Sequence, residues 1–286
     1  MTTPSILVTG ASTGIGEACA LQFDRLGWDV FAGVRRDQDR ERLGKASSDR
    51  LRPLILDVTD AGSIELAAKE IAAAVGDAGL TAVVNNAGIG IGGPIEYVAV
   101  DDWRRQFEVN VFGQIAVTQA VLPLLRRVGA GARIVFMGSI GGRVASPFIG
   151  PYSASKHAIE ALAEAMRHEL ADTGIKVVVV EPGAVKTPIW DKAQTAVDDI
   201  EAALPPEGRD RYGESIKRMR KALEFQARTG VDPQVVAGVV ERAVTSSRPA
   251  ARYLVGRDAR ITAATAHLPD RVRDAVSRSL IKFASR

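Results

Sequence analysis

Short apolar runs alternate with longer stretches of helical periodicity along most of the chain. The short runs are apolar throughout, which is typical of strands that are buried on both faces in a parallel sheet covered by helices. We therefore predict one α/β domain with a doubly wound parallel sheet flanked by helices. The predicted strands are residues 6–9, 29–34, 54–56, 82–85, 133–137, 176–180 and 253–255, and the predicted helices are 14–26, 37–46, 60–75, 101–127, 151–172 and 232–246.

Residues 188–230 interrupt this alternation because they are charged and contain no strand-like run. Tyr212, Ile216, Met219 and Leu223 nevertheless recur at helical spacing, which predicts an amphipathic helix with one face to bury. An insertion this late in a sheet domain is well placed to cover a substrate, so we interpret residues 188–230 as a substrate lid.

Residues 257–286 follow the last predicted strand as a basic amphipathic C-terminal extension to a catalytic domain of residues 1–256. Pro269 is expected to separate two helices there. The extension holds seven Arg or Lys against three Asp, a local net charge of +4, while the whole chain carries only +3. Residues 1–256 therefore carry a net charge of −1. The basic isoelectric point of the chain arises from the extension and does not indicate a nucleic-acid-binding surface. The extension is expected to dock on its own subunit or a neighbour, with a peripheral membrane contact as the alternative. Its apolar positions are Ile261, Ala264, Leu268, Val272, Val276 and Leu280.

The composition is that of an ordinary globular protein, with 286 residues, 46% apolar and 25% charged. Cys19 is the single cysteine and the three histidines are scattered, so we predict neither an internal disulfide nor a metal site. There is no basic leader followed by an apolar run, and no stretch of about 18 apolar residues. We expect a cytoplasmic protein with no transmembrane segment.

A glycine-rich turn follows the first predicted strand and precedes a predicted helix. Glycines at such a turn let backbone N–H groups approach a pyrophosphate, and the helix N-terminus adds partial positive charge. A second glycine pattern at Gly88, Gly90 and Gly93 is followed by Pro94 rather than by a helix, so we do not assign it to a nucleotide. The candidate pyrophosphate-binding residues are Gly10, Ser12, Thr13, Gly14, Ile15 and Gly16.

Tyr152 and Lys156 are four residues apart in a predicted helix, so their side chains share one face. A tyrosine with a reference pKa of about 10 is a poor base at neutral pH, and a neighbouring cation favours its phenolate. Tyr152 is therefore a candidate to exchange a proton with a substrate hydroxyl or carbonyl.

The order and spacing of the motifs resemble the short-chain dehydrogenase/reductase family, closely over residues 5–187 and more loosely over 232–256. The resemblance implies NAD(P)-dependent oxidation of alcohols or reduction of carbonyls on one Rossmann-like domain. Residues 30–36, 147–157 and 252–260 look like the branch that contains hydroxysteroid and retinol dehydrogenases, which implies a hydrophobic alcohol or ketone. The motifs are Thr9 to Gly16, Asn85-Asn86-Ala87-Gly88, Asn110, Ser139, Tyr152-Ser153-Ala154-Ser155-Lys156 and Pro182-Gly183 to Thr187.

The same resemblance implies roles for individual residues. Ser139 would bond and stabilise the substrate oxygen, and Asn110 would help to hold Lys156 and a proton-relay water. The family commonly pairs the helices at 101–127 and 151–172 across a twofold axis, which implies a homodimer or homotetramer. The further cofactor-binding residues implied are Asp57 and Val58 near the adenine, Asn86, Ala87 and Gly88 near the ribose, Tyr152 and Lys156, and Pro182, Gly183, Val185 and Thr187 toward the nicotinamide.

Cofactor preference is indicated at the end of the second predicted strand. Val34 stands where an acid would bind the ribose hydroxyls of NAD, and Arg35 and Arg36 follow, as expected for a clamp on a 2′-phosphate. We predict NADP(H), with NAD(H) as the alternative. Two other functions stay open: a catalytically idle NADP-binding sensor, and a reductase of acyl-carrier-linked 3-oxo substrates. The second would use lid cations, which are Lys217, Arg218, Arg220 and Lys221.

Overall fold

The computed structural model describes residues 3–276, apart from the side chains of residues 191–193. Its centre is a seven-stranded sheet in the order β3-β2-β1-β4-β5-β6-β7, and every neighbouring pair is parallel. The predicted doubly wound α/β fold is confirmed. The strands are β1 Ser5–Val8, β2 Asp29–Val34, β3 Leu51–Ile55, β4 Ala82–Asn85, β5 Arg133–Met137, β6 Lys176–Pro182 and β7 Arg252–Val255.

Helices cover both faces of the sheet, and each strand divides its side chains between two apolar cores. On β1, Ile6 and Val8 enter one core with residues of the first and ninth helices, whereas Leu7 enters the other with residues of the third, fifth and sixth. Burial on both faces explains why the strands are apolar throughout. The helices are α1 Gly14–Arg25, α2 Asp37–Lys45, α3 Ala61–Val75, α4 Val100–Phe107, α5 Gly113–Val128, α6 Gly150–Glu169, α7 Ile189–Ala203, α8 Pro206–Thr229, α9 Pro233–Thr245 and α10 Arg257–Thr265.

Three strands are longer than predicted: β7 by one residue, and β3 and β6 by two residues each. β3 begins at Leu51 although Pro53 lies within it, and a proline is tolerated there because β3 is an edge strand. β6 continues through Glu181 to Pro182, two residues beyond its predicted end at Val180. Glu181 is fully buried, so its carboxyl must be satisfied inside the protein.

The lid contains two helices, α7 and α8, rather than the single helix predicted. Pro205 lies between them, and Pro206 is the first residue of α8. Val197, Leu204 and Ile216 are buried in a small core of the lid's own. The predicted stripe of α8 packs against this core through Tyr212, Met219 and Leu223. Packing within the lid therefore accounts for the predicted apolar face of this helix.

The C-terminal extension begins with α10, and residues 270–276 are helical after Pro269, as predicted. Ala259 and Ala263 are buried, and the Asp258 carboxylate accepts a 2.7 Å hydrogen bond from the backbone N–H of Ala184. Two residues of the predicted apolar stripe, Ile261 and Val272, are 52% and 47% exposed, so these two do not dock on their own subunit. Leu280 lies outside the described residues.

The helical run from Val100 to Gly131 is long and apolar enough to cross a membrane by length and composition alone. Half of its most apolar window is buried inside the domain. Its α5 portion contributes Val117, Val121 and Leu125 to one of the two sheet cores, which explains why so many of its residues are apolar.

Replacing Phe136 with Ala should destabilise the domain because this side chain is fully buried on the central strand β5. Loss of a buried phenyl group costs about 3–5 kcal/mol of unfolding free energy, from lost burial and the cavity that is left. Leu66→Ala is the control: Leu66 is 69% exposed, so we expect a change within about 0.5 kcal/mol. Urea unfolding measures both, and equal effects would contradict the assignment of the core.

Candidate active site

The candidate residues lie where strands end along one edge of the sheet. The glycine turn follows β1, Asn86 follows β4, Ser139 follows β5 and Gly183 follows β6. The sheet order reverses between β1 and β4, and ligands of open α/β sheets bind in the crevice at such a point.

The glycine turn has the conformation that an anion-binding loop needs. Gly10 and Gly14 adopt φ values of +64° and +63°, a region that residues with a side chain rarely occupy. A Cβ at Gly14 would lie 3.0 Å from Cγ2 of Thr187, so that position has little room for a side chain. Thr13 precedes α1 without a side-chain capping bond, which leaves N–H groups of the first turn to meet an anion. These features fit the pyrophosphate of a dinucleotide.

Asn86 fixes the glycine turn through its side-chain amide. Its Nδ2 donates to the carbonyl oxygens of Thr9 and Gly10 at 2.9 and 3.2 Å. The Thr9 hydroxyl in turn accepts from the backbone N–H groups of Asn86 and Ala87 at 3.0 and 2.9 Å. Gly88 lies beyond them, against the Asn110 side chain. The β1 and β4 loops are thus held together by amide and hydroxyl groups.

Arg35 and Arg36 are both exposed after β2, but they have different surroundings. The Arg36 guanidinium is paired with Asp39 at 2.9 Å. Arg35 lies near Asp57: burial raises the pKa of Asp57, but hydrogen bonds from Thr59 and the charge of Arg35 outweigh it and leave the pKa below its usual value. Val58, beside Asp57, is buried.

Arg42 is a further cation at this end of the crevice, and sequence reasoning missed it. From α2 its guanidinium bonds the Ser12 carbonyl oxygen and pairs with Glu17 at 2.6 Å. The sequence feature that could have indicated Arg42 is its place in the predicted helix directly after Arg35 and Arg36. Its contact with Ser12 sets a positive charge beside the glycine turn.

Tyr152, Ser139 and Lys156 come together between α6 and the end of β5. Burial raises the pKa of Tyr152, while its hydrogen bond with Ser139 lowers it, and the net direction is upward. The Lys156 ammonium lies 5.8 Å from the centre of the Tyr152 ring and donates to the Met137 carbonyl oxygen at 2.7 Å. Burial lowers the pKa of Lys156 to about 8, although the charge of Glu160 acts in the opposite direction. Burial therefore opposes the phenolate form that we expected for Tyr152.

Asn110 lies in a five-residue π-helical turn, Glu108–Phe112, between α4 and α5. Its Oδ1 accepts from the Ile89 N–H at 2.8 Å, and its Nδ2 donates to the Ile89 carbonyl at 3.0 Å and to the Ser155 hydroxyl at 3.1 Å. The direct contact of Asn110 with α6 is therefore to Ser155, the neighbour of Lys156. π-turns inside α-helices are frequent at functional sites, and this one directs a fully buried amide into the candidate site.

Pro182 and Gly183 shape the backbone after β6 rather than offering side chains to a ligand. Pro182 is the buried last residue of the strand, and the Gly183 N–H donates to the Val255 carbonyl at 2.9 Å. A Cβ at Gly183 would collide with the Asp258 carboxylate. Val185 is buried and pairs with Val231. Thr187 approaches Gly14, so this segment reaches the glycine turn from the opposite side.

Aromatic side chains lie on the lid side of the site. Phe148 and Tyr97 each contact the ring of Tyr212 edge to face, at 6.1 Å between ring centres. Phe148 adopts φ +66°, a strained conformation for a residue with a side chain, just before α6. Trp190 is fixed by an indole N–H bond of 2.6 Å to the Val185 carbonyl. Contacts within the protein therefore hold the rings of Phe148 and Trp190 in place.

Comparison with known proteins agrees with this geometry. A family model described as short chain dehydrogenase matches residues 4–198. The chain is 36% identical over 274 residues to the NADPH-dependent 3-dehydrocapnine reductase of Ornithobacterium rhinotracheale, covering 94% of each protein. It is 37% identical to retinol dehydrogenase 5 of Mus musculus, covering 95% of this chain and 86% of that protein. The crystal structure of a short-chain dehydrogenase from Streptomyces avermitilis superposes with a TM-score of 0.78 at 30% identity, covering 97% and 96% of the two chains.

Replacing Lys156 with Met should change how stability depends on pH. The folded pKa of about 8 lies below the unfolded value of about 10.4, so between them the unfolded chain binds a proton that the folded chain does not. The unfolding free energy of the native protein should therefore rise with pH in this window, by at most about 1.4 kcal/mol per pH unit from this group.

Lys156→Met should lose this contribution, and the control Lys221→Met, at an exposed lid position, should keep it. Urea unfolding between pH 8 and pH 10 compares the three proteins. An unchanged slope in Lys156→Met would show that the ammonium is not destabilised by burial.

Proposed function

Because the chain belongs to the short-chain dehydrogenase family, in its hydroxysteroid and retinol dehydrogenase-like branch, we propose that it transfers a hydride between NADP(H) and a hydrophobic secondary alcohol or ketone. Tyr152 is the acid/base in this proposal. The observation that carries it is the convergence of Tyr152, Ser139 and the buried Lys156 at the crevice that contains the glycine turn. The nicotinamide, when bound, supplies or accepts the hydride.

The proton-transfer roles follow from the side chains. In the direction of reduction, the Tyr152 phenol donates its proton to the carbonyl oxygen, a contribution of about 10²–10⁴-fold for a positioned acid. The Ser139 hydroxyl, within hydrogen-bonding reach of Tyr152, meets the charge that develops on the same oxygen. The Lys156 cation stabilises the phenolate that is left. Asn110 keeps α6 in register with the loop after β4 through Ser155 and Ile89.

The proposed preference for NADP(H) is supported at the adenosine end of the crevice. Val34 ends β2 without an acid, Arg35 is exposed beside it, and Arg42 lies against the glycine turn. A guanidinium can form two parallel hydrogen bonds with a phosphate. It is always positively charged, so it attracts every ionised form of the phosphate. The Ornithobacterium relative is named as NADPH-dependent, which agrees with this preference.

A hydrophobic substrate is supported by the aromatic contacts around the lid. Phe148 and Tyr212 meet edge to face at the approach to α6, and Trp190 starts the lid with its indole N–H already bonded. These rings present apolar surface near the Tyr152 helix. A relative named as a retinol dehydrogenase is consistent with a substrate of this class.

The acyl-carrier alternative is less well supported because two of its four cations are paired with carboxylates of the lid. Lys217 pairs with Glu214 at 2.9 Å, and Arg220 pairs with Glu201 at 2.9 Å and also with Asp198. Such pairs leave less positive charge for a phosphorylated carrier. An idle sensor would need the glycine turn but not Asn110, Ser139, Tyr152 and Lys156 together, so the presence of all four favours an enzyme.

Tyr152→Phe should reduce turnover of ketones by at least about 100-fold, because it removes the proton donor while leaving the ring in place. NADPH binding, measured by quenching of protein fluorescence, should be preserved. Oxidation of NADPH and of NADH with a panel of steroid, retinoid and aliphatic carbonyls measures the wild type and the variant. A wild type inactive on the whole panel would refute the enzyme assignment, and an active Tyr152→Phe would refute the role of Tyr152.

Arg35→Ala should raise the KM for NADPH by about 10-fold or more and leave the KM for NADH unchanged. The estimate follows from about 1.5–3 kcal/mol for a hydrogen bond to a charged group. Arg50→Ala is the matched control, since Arg50 is an exposed arginine that precedes β3 and pairs with Asp29 at the opposite edge of the sheet. Equal use of both cofactors by the wild type would contradict the preference.

A further inference from the structure

Charged side chains meet behind the Tyr152 helix, away from the crevice. The fully buried Glu181 accepts a 2.7 Å hydrogen bond from Nε of Arg143 through its Oε1. Oε2 of Glu160, on α6, accepts from Nε of Arg252 at 2.8 Å, and the same arginine reaches Glu164 at 3.1 Å. Arg252 Nε also lies 3.9 Å from Glu181 Oε1. Three carboxyls thus share two guanidiniums.

The remaining oxygens of Glu160 and Glu181 lack any such cation. Glu160 Oε1 and Glu181 Oε2 are both buried without a hydrogen-bond partner, although the two carboxyl groups lie within hydrogen-bonding reach of each other. Two carboxylates in contact repel, whereas one shared proton converts the repulsion into a hydrogen bond. Burial raises the pKa of Glu181 to about 7, and Glu160 acts in the same direction while Arg143 opposes it.

Glu160 connects this carboxyl pair to the candidate active site. It lies one helical turn after Lys156 on α6, and its negative charge favours the Lys156 ammonium against burial. The charged groups that face the pair from the surrounding elements are Lys156 and Glu164 from α6, Arg143 from the turn after β5, and Arg252 from β7. The charge on the pair therefore acts on Lys156 over the length of one helical turn.

We propose that Glu160 and Glu181 share one proton, and that this proton sets the negative charge that Lys156 experiences. Loss of the proton adds a negative charge behind Lys156, so the ammonium persists to higher pH. Glu160 and Glu181 are then positioning residues that act on Tyr152 only through Lys156. The last step, to Tyr152, rests on the proposed function, whereas proton sharing and its effect on Lys156 do not.

The first test is whether the shared proton exists. The infrared spectrum of the wild type at pH 6 should contain the C=O band of a protonated carboxyl that is missing in Glu181→Gln. Because the folded pKa of Glu181 lies above the unfolded value of about 4.3, wild-type unfolding free energy should fall relative to the variant as pH rises from 5 to 7. A merely structural role would shift stability equally at all pH values. Absence of both the band and the slope would overturn the proposal.

The second test reads Lys156 directly. With ¹³C-labelled lysine and Lys156→Met for assignment, NMR should show the Lys156 pKa lower by at least about 0.5 unit in Glu181→Gln, and lower still in Glu160→Gln. Glu164→Gln is the matched control, because it removes a carboxylate from the same helix and the same Arg252 but is half exposed. A Lys156 pKa equal in wild type and Glu181→Gln would overturn the coupling, whether or not the protein reduces ketones.

The third readout applies to the active enzyme. The basic limb of the pH profile of kcat/KM should move to lower pH in Glu181→Gln by the same amount as the Lys156 pKa, and should not move in Glu164→Gln. If the Lys156 pKa moves while the profile of an active enzyme does not, the link to Tyr152 fails and proton sharing stands. If no carbonyl is reduced by the wild type, the proposed function fails, and the first two tests still decide the carboxyl pair.

Discussion

Parallel pairing sends the carboxyl ends of all seven strands to one edge of the sheet, and the rest of the molecule is arranged around that edge. Parallel strands need crossover connections, which here are the helices that bury both faces. The loops that leave β1, β4, β5 and β6 therefore lie close together, because the parallel sheet places the end of each of these strands at the same edge. Hydrogen bonds from Thr9 and Asn86 lock the first two of these loops together, so the crevice between them has fixed walls.

The chemistry at this edge works against burial. Lys156 and Tyr152 both lie where burial disfavours their charged forms, which lowers the pKa of the amine and raises that of the phenol. The Ser139 hydrogen bond favours the charged form of Tyr152, and the carboxylate of Glu160 favours that of Lys156. Isolated buried charges are costly, so such neighbours decide which protonation states the site can reach. The ionisable groups behind α6 therefore belong to the electrostatics of the site as much as those within it.

Sequence patterns predicted the fold class and all seven strands, and the motifs that resemble the dehydrogenase family implied that the glycine turn, Ser139, Tyr152 and Lys156 share one site. These features depend on local periodicity or on short spacings. The π-turn around Asn110, the second lid helix and the contact of Arg42 with the Ser12 carbonyl were not predicted. The same holds for Glu181, which lies one residue beyond the predicted end of β6. Its partner Arg143 lies 38 residues away and Arg252 lies 71 away, so only the folded chain brings their charges together.

The core of the lid has a consequence for how such a protein changes over time. Val197, Leu204 and Ile216 form an apolar cluster separate from the two that hold the sheet. Substitutions in distant, independent clusters have nearly additive effects on stability. A mutation in the lid cluster is therefore expected to change the stability of the sheet clusters little. A mutation in the sheet clusters is likewise expected to change the stability of the lid cluster little. Selection can diversify residues 188–230 while the sheet and its glycine turn stay under strict packing constraint, so divergence within one fold is expected to concentrate in that segment.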